Sequence, residues 1–325
     1  MSPPVHTAPL RVRVARKTPE ADGICSFELV DAAGGALPAF TAGAHLDVQV
    51  PGGPTRQYSL CNDPAETHRY LIAVLHEASS RGGSAGMHER VREGDLLDIS
   101  LPKNHFALAD GAPSHVLLAG GIGVTPLLAM AERLHAQGAD FAMHYCTRTR
   151  TRAAFAGRLG QAPFSARVHL HFDDGDAAQR LDLAALLQAP VPGQHLYVCG
   201  PQGFMDAVLG TARARGWPEA QLHYEFFSAA PVDTAGDRAF EVQLARSGRV
   251  IAIPAGCSVV HALADAGVFV ATSCEQGVCG TCLTRVVDGT PDHRDQYLTP
   301  EEQAAGDQFL PCCSRAKTAR LVLDL

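Results

Sequence analysis

The pattern of apolar and polar positions changes character along the chain. Up to about residue 100, short apolar segments alternate with turn residues, and Leu46, Val48 and Val50 are separated by polar neighbours. This period-two alternation predicts antiparallel strands that pack as a small barrel or sandwich. The strands predicted in this part are 10–17, 24–30, 45–50, 69–75 and 96–100.

A different rhythm begins after residue 110. An apolar run of strand length at 115–119 leads into a glycine-rich turn and then into a helix with one apolar face. We predict Thr125 as the N-cap of this helix, Pro126 as its first residue and Gly138 as its end. A strand at 141–146 completes a βαβ unit.

A second unit of the same kind follows. It has a buried strand at 195–198, the turn Cys199-Gly200-Pro201 and a helix at 202–215. Open α/β sheets bind their ligands at the carboxyl ends of the strands. The first turn lacks the G-x-G-x-x-G pattern, but two glycine turns at strand ends together predict a shared nucleotide crevice.

The last hundred residues change pattern again. Residues 228–239 are rich in alanine, which predicts a linker. Two short apolar runs then predict a hairpin. The elements predicted here are strands at 240–244, 249–253, 284–287 and 320–324 and a helix at 258–265.

Cysteines in this last part have a spacing that indicates chemistry. Cys274, Cys279 and Cys282 follow a C-x4-C-x2-C pattern, and a fourth thiolate can come from Cys312 or Cys313. This is the ligand set of a plant-type [2Fe–2S] cluster. Zinc is the weaker alternative, because zinc sites usually combine two C-x2-C pairs, or one pair with histidines.

Composition and charge exclude several function classes. The net charge is −7 without a concentrated basic segment, which argues against nucleic acid as a partner. We expect no membrane span, because glycine, threonine and proline interrupt the most apolar stretch, 116–130. Ten cysteines without a secretory leader predict reduced thiols in a cytoplasmic protein rather than disulfides.

Two segments of the first part suit a phosphorylated ring system. Arg56 and Tyr58 share one face of a strand and Ser59 is next to them, although such a pair is also common on exposed edge strands. Residues 81–87 are rich in glycine and open a short predicted helix, whose free N–H groups would suit a phosphate. An ordinary flexible loop is the alternative interpretation of that segment.

The order of these parts resembles the phthalate dioxygenase reductase family over essentially the whole chain. The stretches that carry the resemblance are Arg56–Ser59 with the following Leu60-Cys61-Asn62-Asp63, Arg81-Gly82-Gly83-Ser84, 119–126, Cys199–Pro201, Asp292-His293-Arg294-Asp295 and Ser314-Arg315-Ala316-Lys317. The family implies a multidomain fold. Its parts would be an antiparallel β-barrel flavin domain at 1–108, an α/β NAD-binding domain at 109–230 and an α+β ferredoxin domain of the β-grasp type at 231–325.

The resemblance also implies the cofactors FMN, NADH and [2Fe–2S] and the residues that serve them. The implied catalytic residues are Ser59, Cys199, Glu225 and Phe227. The implied cofactor-binding residues are Arg56, Tyr58, Ser59, Gly82, Gly83, Ser84 and Phe227 for FMN, and Gly120, Gly121, Gly123, Thr125, Asp173, Cys199, Gly200 and Pro201 for the nucleotide. The implied cluster ligands are Cys274, Cys279, Cys282 and Cys312, since the family's fourth ligand stands two residues before the serine of a Ser-Arg-Ala-Lys run.

Two features bear on the choice of nucleotide. The arginine-rich segment 147–152 would suit the 2′-phosphate of NADPH. Asp173, however, matches a family position near the adenosine ribose, where a carboxylate accepts hydrogen bonds from free hydroxyls and repels a phosphate. We therefore expect NADH.

By this resemblance, the chain is the reductase component of a Rieske-type oxygenase that hydroxylates or demethylates aromatic acids. NADH delivers two electrons as a hydride and the cluster accepts one, so a flavin between them is required. The terminal oxygenase is the expected partner, by transient docking, and the chain is expected to be a monomer. Two rival functions are a stand-alone NAD(P)H oxidase or ferric reductase, and a ferredoxin-like carrier with an inert nucleotide domain.

Overall fold

Residues 9–78, 80, 82–227 and 234–325 are described by the computed structural model, which divides the chain into two units, 1–225 and 226–325. Arg81 and residues 228–233 of the predicted linker lie outside the described residues. The predicted division into three domains, at 108/109 and 230/231, stays a prediction.

The first unit contains eleven strands and five α-helices among its described residues. The strands are β1 (Leu10–Ala21), β2 (Ile24–Asp31), β3 (His45–Gln49), β4 (Thr55–Ser59), β5 (Tyr70–Leu75), β6 (Leu96–Ile99), β7 (Ser114–Gly120), β8 (Asp140–Thr147), β9 (Val168–Phe172), β10 (Gln194–Cys199) and β11 (Leu222–Glu225). The helices are α1 (Gly83–Arg90), α2 (Val124–Ala136), α3 (Ala156–Gln161), α4 (Leu183–Leu186) and α5 (Gln202–Ala214).

The first six strands form one antiparallel sheet in the order β4-β3-β6-β1-β2-β5. Leu60, just beyond β4, bridges Ile72 of β5, so the sheet curls until its two edge strands meet. The alternating apolar residues pack inside this curl, as the sequence pattern predicted. Among those that are completely buried are Val12, Val14, Phe27, Leu29, Leu46, Val48 and Ile72.

The other five strands form a parallel sheet in the order β11-β10-β7-β8-β9. Helix α2 packs on one face of this sheet and buries Leu127, Leu128 and Met130 against it. The sheet and its βαβ units confirm the predicted α/β fold class.

The predicted start of α2 was wrong. The helix begins at Val124 and its N-cap is Gly123, with no side-chain cap. A 3₁₀ turn at Gly121–Gly123 runs directly into the helix, so Thr125 already lies inside the first turn. Its hydroxyl donates to the carbonyl of Ile122 at 3.0 Å.

The second unit contains seven strands and two α-helices in its described part. The strands are β12 (Phe240–Leu244), β13 (Val250–Ile253), β14 (Thr284–Asp288), β15 (Pro291–Asp292), β16 (Gln308–Phe309), β17 (Arg315–Ala316) and β18 (Arg320–Leu323), and the helices are α6 (Val259–Asp265) and α7 (Pro300–Ala305).

The main sheet of this unit has the order β13-β12-β18-β14-β16, and β15 pairs with β17 separately. The predicted hairpin and the two predicted later strands are all present. Ser258 caps α6 by accepting a hydrogen bond from the N–H of His261. Helix α6 buries Val259 and Leu263 in the core under the sheet. No helix in the described ranges has both the length and the apolar composition needed to cross a membrane.

Candidate cofactor sites

Arg56 lies against the start of helix α1. A Cβ on Gly83 would come within 2.8 Å of the Arg56 side chain, and Gly82 precedes the helix in the left-handed region with a φ of 87°. Free N–H groups at a helix start attract anions, and an arginine adds a full positive charge. Ser84 accepts a hydrogen bond from the N–H of Glu77 at 3.1 Å, which ties the helix start to the preceding loop. The arrangement fits a phosphate group.

Tyr58 lies two residues after Arg56 on β4, so the two side chains share one face of the strand. Its hydroxyl is buried, and no described residue accepts or donates a hydrogen bond to it. Burial raises the pKa of this hydroxyl, so it stays protonated at neutral pH. A buried phenol that lacks a protein partner fits a position beside a bound ring system.

Ser59 and Glu225 join the curled sheet to the parallel sheet. The Ser59 hydroxyl donates to Oε2 of Glu225 at 3.3 Å, across 166 residues of sequence. Glu225 ends β11 directly beside Cys199, which ends β10. The structure therefore brings together three of the four predicted catalytic residues.

The electrostatics of these residues follow from burial. Burial raises the pKa of Glu225 to about 7, against the opposing effect of the Ser59 hydrogen bond. Burial also raises the pKa of the Cys199 thiol, and the charge of Glu225 raises it further. Glu225 thus titrates near neutral pH, while Cys199 stays a neutral thiol.

Phe227, the fourth predicted catalytic residue, belongs to the second unit. Its side chain is 39% exposed. Its role beside the flavin stays a prediction.

The two predicted glycine turns touch each other. A Cβ on Gly123 would lie 2.2 Å from the carbonyl oxygen of Cys199, and one on Gly200 would lie 3.0 Å from the Cα of Gly120. The ring of Phe204 closes over the same point, 2.8 Å from the place of a Gly120 Cβ. Glycine is needed here because backbone packs on backbone. Phe204 was missed from the sequence, because its position in a helix gives no signal of this contact.

Gly121 and Pro201 belong to the same two turns. Gly121 has a φ of 52° with open space around its Cα, and Pro201 is the N-cap residue of α5. Asp173 follows β9 at the same carboxyl edge of the sheet, where its N–H donates to the carbonyl of Thr147 at 3.1 Å. Arg180 donates to the carbonyl of Asp173 at 2.8 Å and so fixes the turn.

The second unit gathers the predicted cluster ligands. The sulfur of Cys274 contacts those of Cys279 and Cys312, and the sulfur of Cys312 also contacts that of Cys282. Cys279, Cys282 and Cys312 are buried, and Cys274 is partly buried. The contacts with Cys279 and Cys312, followed by hydrogen bonds from backbone N–H groups, lower the pKa of Cys274. The N–H of Gln276 is 3.3 Å from its sulfur.

The loop around these sulfurs requires glycine at two places. Gly277 has a φ of 77°, and a Cβ there would lie 2.5 Å from the sulfur of Cys313. Gly280 has a φ of 70°, and a Cβ there would meet the ring of Tyr297 at 2.3 Å. Tyr297, 17 residues further on, was missed from the sequence because no local pattern links it to the loop.

The donor set fits a two-iron cluster. A [2Fe–2S] cluster takes four thiolates, and hydrogen bonds to the sulfurs tune it. The four sulfurs and the N–H of Gln276 supply that arrangement.

Cys313 has different surroundings from Cys312. Its sulfur lies 3.8 Å from the carbonyl of Leu310 and 3.7 Å from the hydroxyl of Ser314. Cys312 is buried with Cys282, Val260, Leu298 and Leu310, and Cys313 packs against the same cluster. It is the sulfur of Cys312 that contacts those of Cys274 and Cys282, as expected of the fourth ligand.

Comparison with known proteins agrees with this geometry. Residues 242–317 match the 2Fe-2S iron-sulfur cluster binding domain, and residues 100–222 match the N-terminal domain of dimethylamine monooxygenase subunit DmmA-like proteins. A vanillate O-demethylase oxidoreductase of Pseudomonas putida is 56% identical over 313 residues, which are 96% of this chain and 98% of that protein. The phthalate dioxygenase reductase of Burkholderia cepacia is 43% identical over 326 residues, with both chains covered completely.

A solved structure agrees as well. One described as phthalate dioxygenase reductase, a modular structure for electron transfer from pyridine nucleotides to [2Fe–2S], aligns with a TM-score of 0.76. It is 44% identical and covers 97% of this chain and 98% of that one. The chain therefore belongs to the phthalate dioxygenase reductase family: it is an NADH-dependent flavin and iron–sulfur oxidoreductase, the reductase component of an oxygenase system.

Proposed function

We propose that the chain takes a hydride from NADH at FMN in the first unit and passes single electrons through the [2Fe–2S] cluster to a separate Rieske-type oxygenase. The observation that carries the proposal is the contact of Ser59 with Glu225 beside Cys199, in a chain that also holds the four-sulfur frame. The oxygenase would be ring-hydroxylating or O-demethylating, which the similarity to a vanillate O-demethylase oxidoreductase supports.

We propose the following roles in the first unit. Arg56 and the start of α1 hold the FMN phosphate, Tyr58 packs along the ring and Ser59 hydrogen-bonds near flavin N5. The flavin, when bound, supplies the conversion of a two-electron hydride into single electrons. The residues proposed to hold the phosphate with Arg56 are Gly82, Gly83 and Ser84, and those proposed to border the nucleotide are Gly120, Gly121, Gly123, Thr125, Asp173, Cys199, Gly200 and Pro201.

We further propose Cys274, Cys279, Cys282 and Cys312 as the cluster ligands and Phe227 as a residue beside the flavin. The contacts among the four sulfurs support the ligand set. None of the ten cysteines forms a disulfide, which supports a reducing, cytoplasmic compartment.

Anaerobic stopped-flow mixing with NADH tests the proposed order of electron transfer. We expect flavin absorbance to fall first and cluster absorbance to follow, because the hydride must reach a two-electron acceptor before single electrons leave it. Reduction of the cluster before any loss of flavin absorbance would contradict the proposal. Rapid oxygen consumption without an oxygenase would instead favour the rival oxidase function.

Glu225 gives the reaction an expected pH dependence. Its pKa is raised to about 7, so the ionised form that accepts the Ser59 hydrogen bond disappears as the pH falls below 7. Protonated Glu225 is a weaker acceptor, so the Ser59 hydroxyl is then more available to donate elsewhere in the site. We expect NADH-driven flavin reduction to slow as the pH rises through 7 in the native protein, and to lose this dependence in Glu225→Gln.

The raised pKa of Glu225 also predicts that the stability of the protein depends on pH. The folded pKa of about 7 lies above the ordinary value of 4.5, so the free energy of unfolding should fall as the pH rises from 4.5 towards 7. Denaturant titrations of native protein and Glu225→Gln between those values measure the effect. Equal pH slopes in the two proteins would refute the assignment.

We propose that the second unit docks transiently on a basic surface of the oxygenase and that the reductase itself is a monomer. Residues 233–325 carry 12 acidic and 8 basic side chains, a net charge of −4, which supports such docking. High salt is expected to slow electron transfer to the oxygenase without changing flavin reduction by NADH. An unchanged rate of transfer to the oxygenase in high salt would count against docking by charge.

A further inference from the structure

A buried carboxylate lies near the start of the described part of the second unit. The side chain of Asp237 is 3% exposed and lies between two arginines. Arg294 donates to its Oδ1 at 2.7 Å, and Nε of Arg315 is 3.4 Å from its Oδ2. Asp292 accepts a further hydrogen bond from Arg294 at 3.0 Å, so two carboxylates face two guanidinium groups. None of these residues has a role in the reaction described above.

Arg315 binds backbone carbonyls in the first part of this unit. It donates to the carbonyls of Cys257 at 2.5 Å, Arg238 at 3.0 Å and Pro254 at 3.0 Å. Its guanidinium also lies over the ring of Phe240, 5.1 Å from the centroid. Arg315 thus joins the segment around Asp237 to strand β17, which begins three residues after Cys312.

Arg294 reaches the ligand segment by another route. The backbone N–H of Arg294 donates to the hydroxyl of Ser314 at 3.1 Å. That hydroxyl in turn donates to Oδ1 of Asp295 at 3.3 Å. Ser314 stands two residues after Cys312. Asp295 lies under the cluster loop, since a Cβ on Gly277 would come within 3.1 Å of its Cα.

Both routes lead from one carboxylate to the segment that carries the fourth ligand. The side chains of Asp237 and Arg315 are only 3% and 5% exposed, so their charges are costly to bury unless the two remain paired in this geometry. Hydrogen-bonded partners behind the ligands commonly set the affinity of a metal site.

We propose that Asp237 is a positioning residue for the [2Fe–2S] cluster. Through Arg315 and Arg294 it holds the segment of Cys312 against the cluster loop, and it couples the end of the linker to that segment. The inference requires the cluster and its fourth ligand Cys312, but not the proposed electron acceptor.

The test compares full-length holoprotein variants. Asp237→Asn keeps the shape of the side chain and removes its charge. Glu241→Gln is the matched control, because Glu241 forms an ion pair of 2.6 Å with Arg320 in the same unit, and both side chains are about half exposed. The measurements are the rate of iron loss to a chelator, the EPR spectrum and midpoint potential of the reduced cluster, and flavin reduction by NADH.

We expect Asp237→Asn to lose iron about tenfold faster and to shift the EPR spectrum and potential, as for other residues that support metal ligands. Flavin reduction by NADH should stay unchanged, and Glu241→Gln should match the native protein throughout. Native iron loss with a native EPR spectrum in Asp237→Asn would overturn the proposal. Loss of NADH-driven flavin reduction in the native protein would instead count against the proposed function alone.

A second variant covers the case in which Asp237→Asn fails to fold. Arg294→Lys keeps the positive charge but loses the forked contact with Asp237 and Asp292. We expect faster iron loss and a shifted EPR spectrum from this variant, with native circular dichroism. A native rate of iron loss together with a native EPR spectrum in Arg294→Lys would overturn the proposal.

Discussion

Cys312→Ala is expected to abolish the absorbance and the iron of the [2Fe–2S] cluster while flavin binding and NADH-driven flavin reduction remain. The sulfur of Cys312 contacts those of Cys274 and Cys282, so its removal leaves a three-thiolate frame. A plant-type cluster needs all four thiolates. All the residues proposed for the flavin site except Phe227 belong to the first unit, and none of them lies in the segment 308–316.

Cys313→Ala is the matched control, because it removes the neighbouring thiol. The sulfur of Cys313 lies beside the carbonyl of Leu310 and the hydroxyl of Ser314, in the turn at 311–313. This variant should keep its cluster. Iron analysis and visible absorbance of both variants measure the outcome. Iron retained in Cys312→Ala and lost in Cys313→Ala would reassign the ligand, and loss in both would give Cys313 a packing role as well.

Gly123→Ala is expected to lower NADH-driven flavin reduction by at least about tenfold and to destabilise the fold by about 1–3 kcal/mol. The added Cβ would lie 2.2 Å from the carbonyl oxygen of Cys199 and 2.7 Å from the nitrogen of Gly200. Both contacts are with backbone, so neither can be relieved by a side-chain rotation. The turn after β10 must move, and with it Cys199 and the neighbouring end of β11.

Gly210→Ala provides the control for this prediction. Gly210 lies within α5, and nothing lies within 4 Å of the place of its Cβ. Alanine also has the higher helix propensity, so this variant should keep full activity and gain slightly in stability. Stopped-flow flavin reduction and denaturant titration measure both variants. Native kinetics and stability in Gly123→Ala would show that the two turns do not need their close contact.

Local signals were sufficient for most of the secondary structure. The alternation at Leu46, Val48 and Val50 predicted an inward-facing strand, and β3 buries the first two of them. The glycine turns after β7 and β10 were also predicted correctly as strand ends. The start of α2 was wrong, because Thr125 followed by Pro126 resembles a cap even where a 3₁₀ turn continues into the helix.

The sequence by itself determined two predictions of chemistry. The cysteine spacing of the cluster loop predicted an iron–sulfur cluster, and the glycine turns that end two parallel strands predicted nucleotide binding. Spacing and turn type act over a few residues, so they are visible without the fold. Only the tertiary structure decided that Ser59 meets Glu225, that Gly123 touches Cys199, and that Asp237 lies between Arg294 and Arg315. These contacts join residues tens to more than a hundred positions apart. They depend on how whole strands and loops pack against one another, which no local pattern encodes.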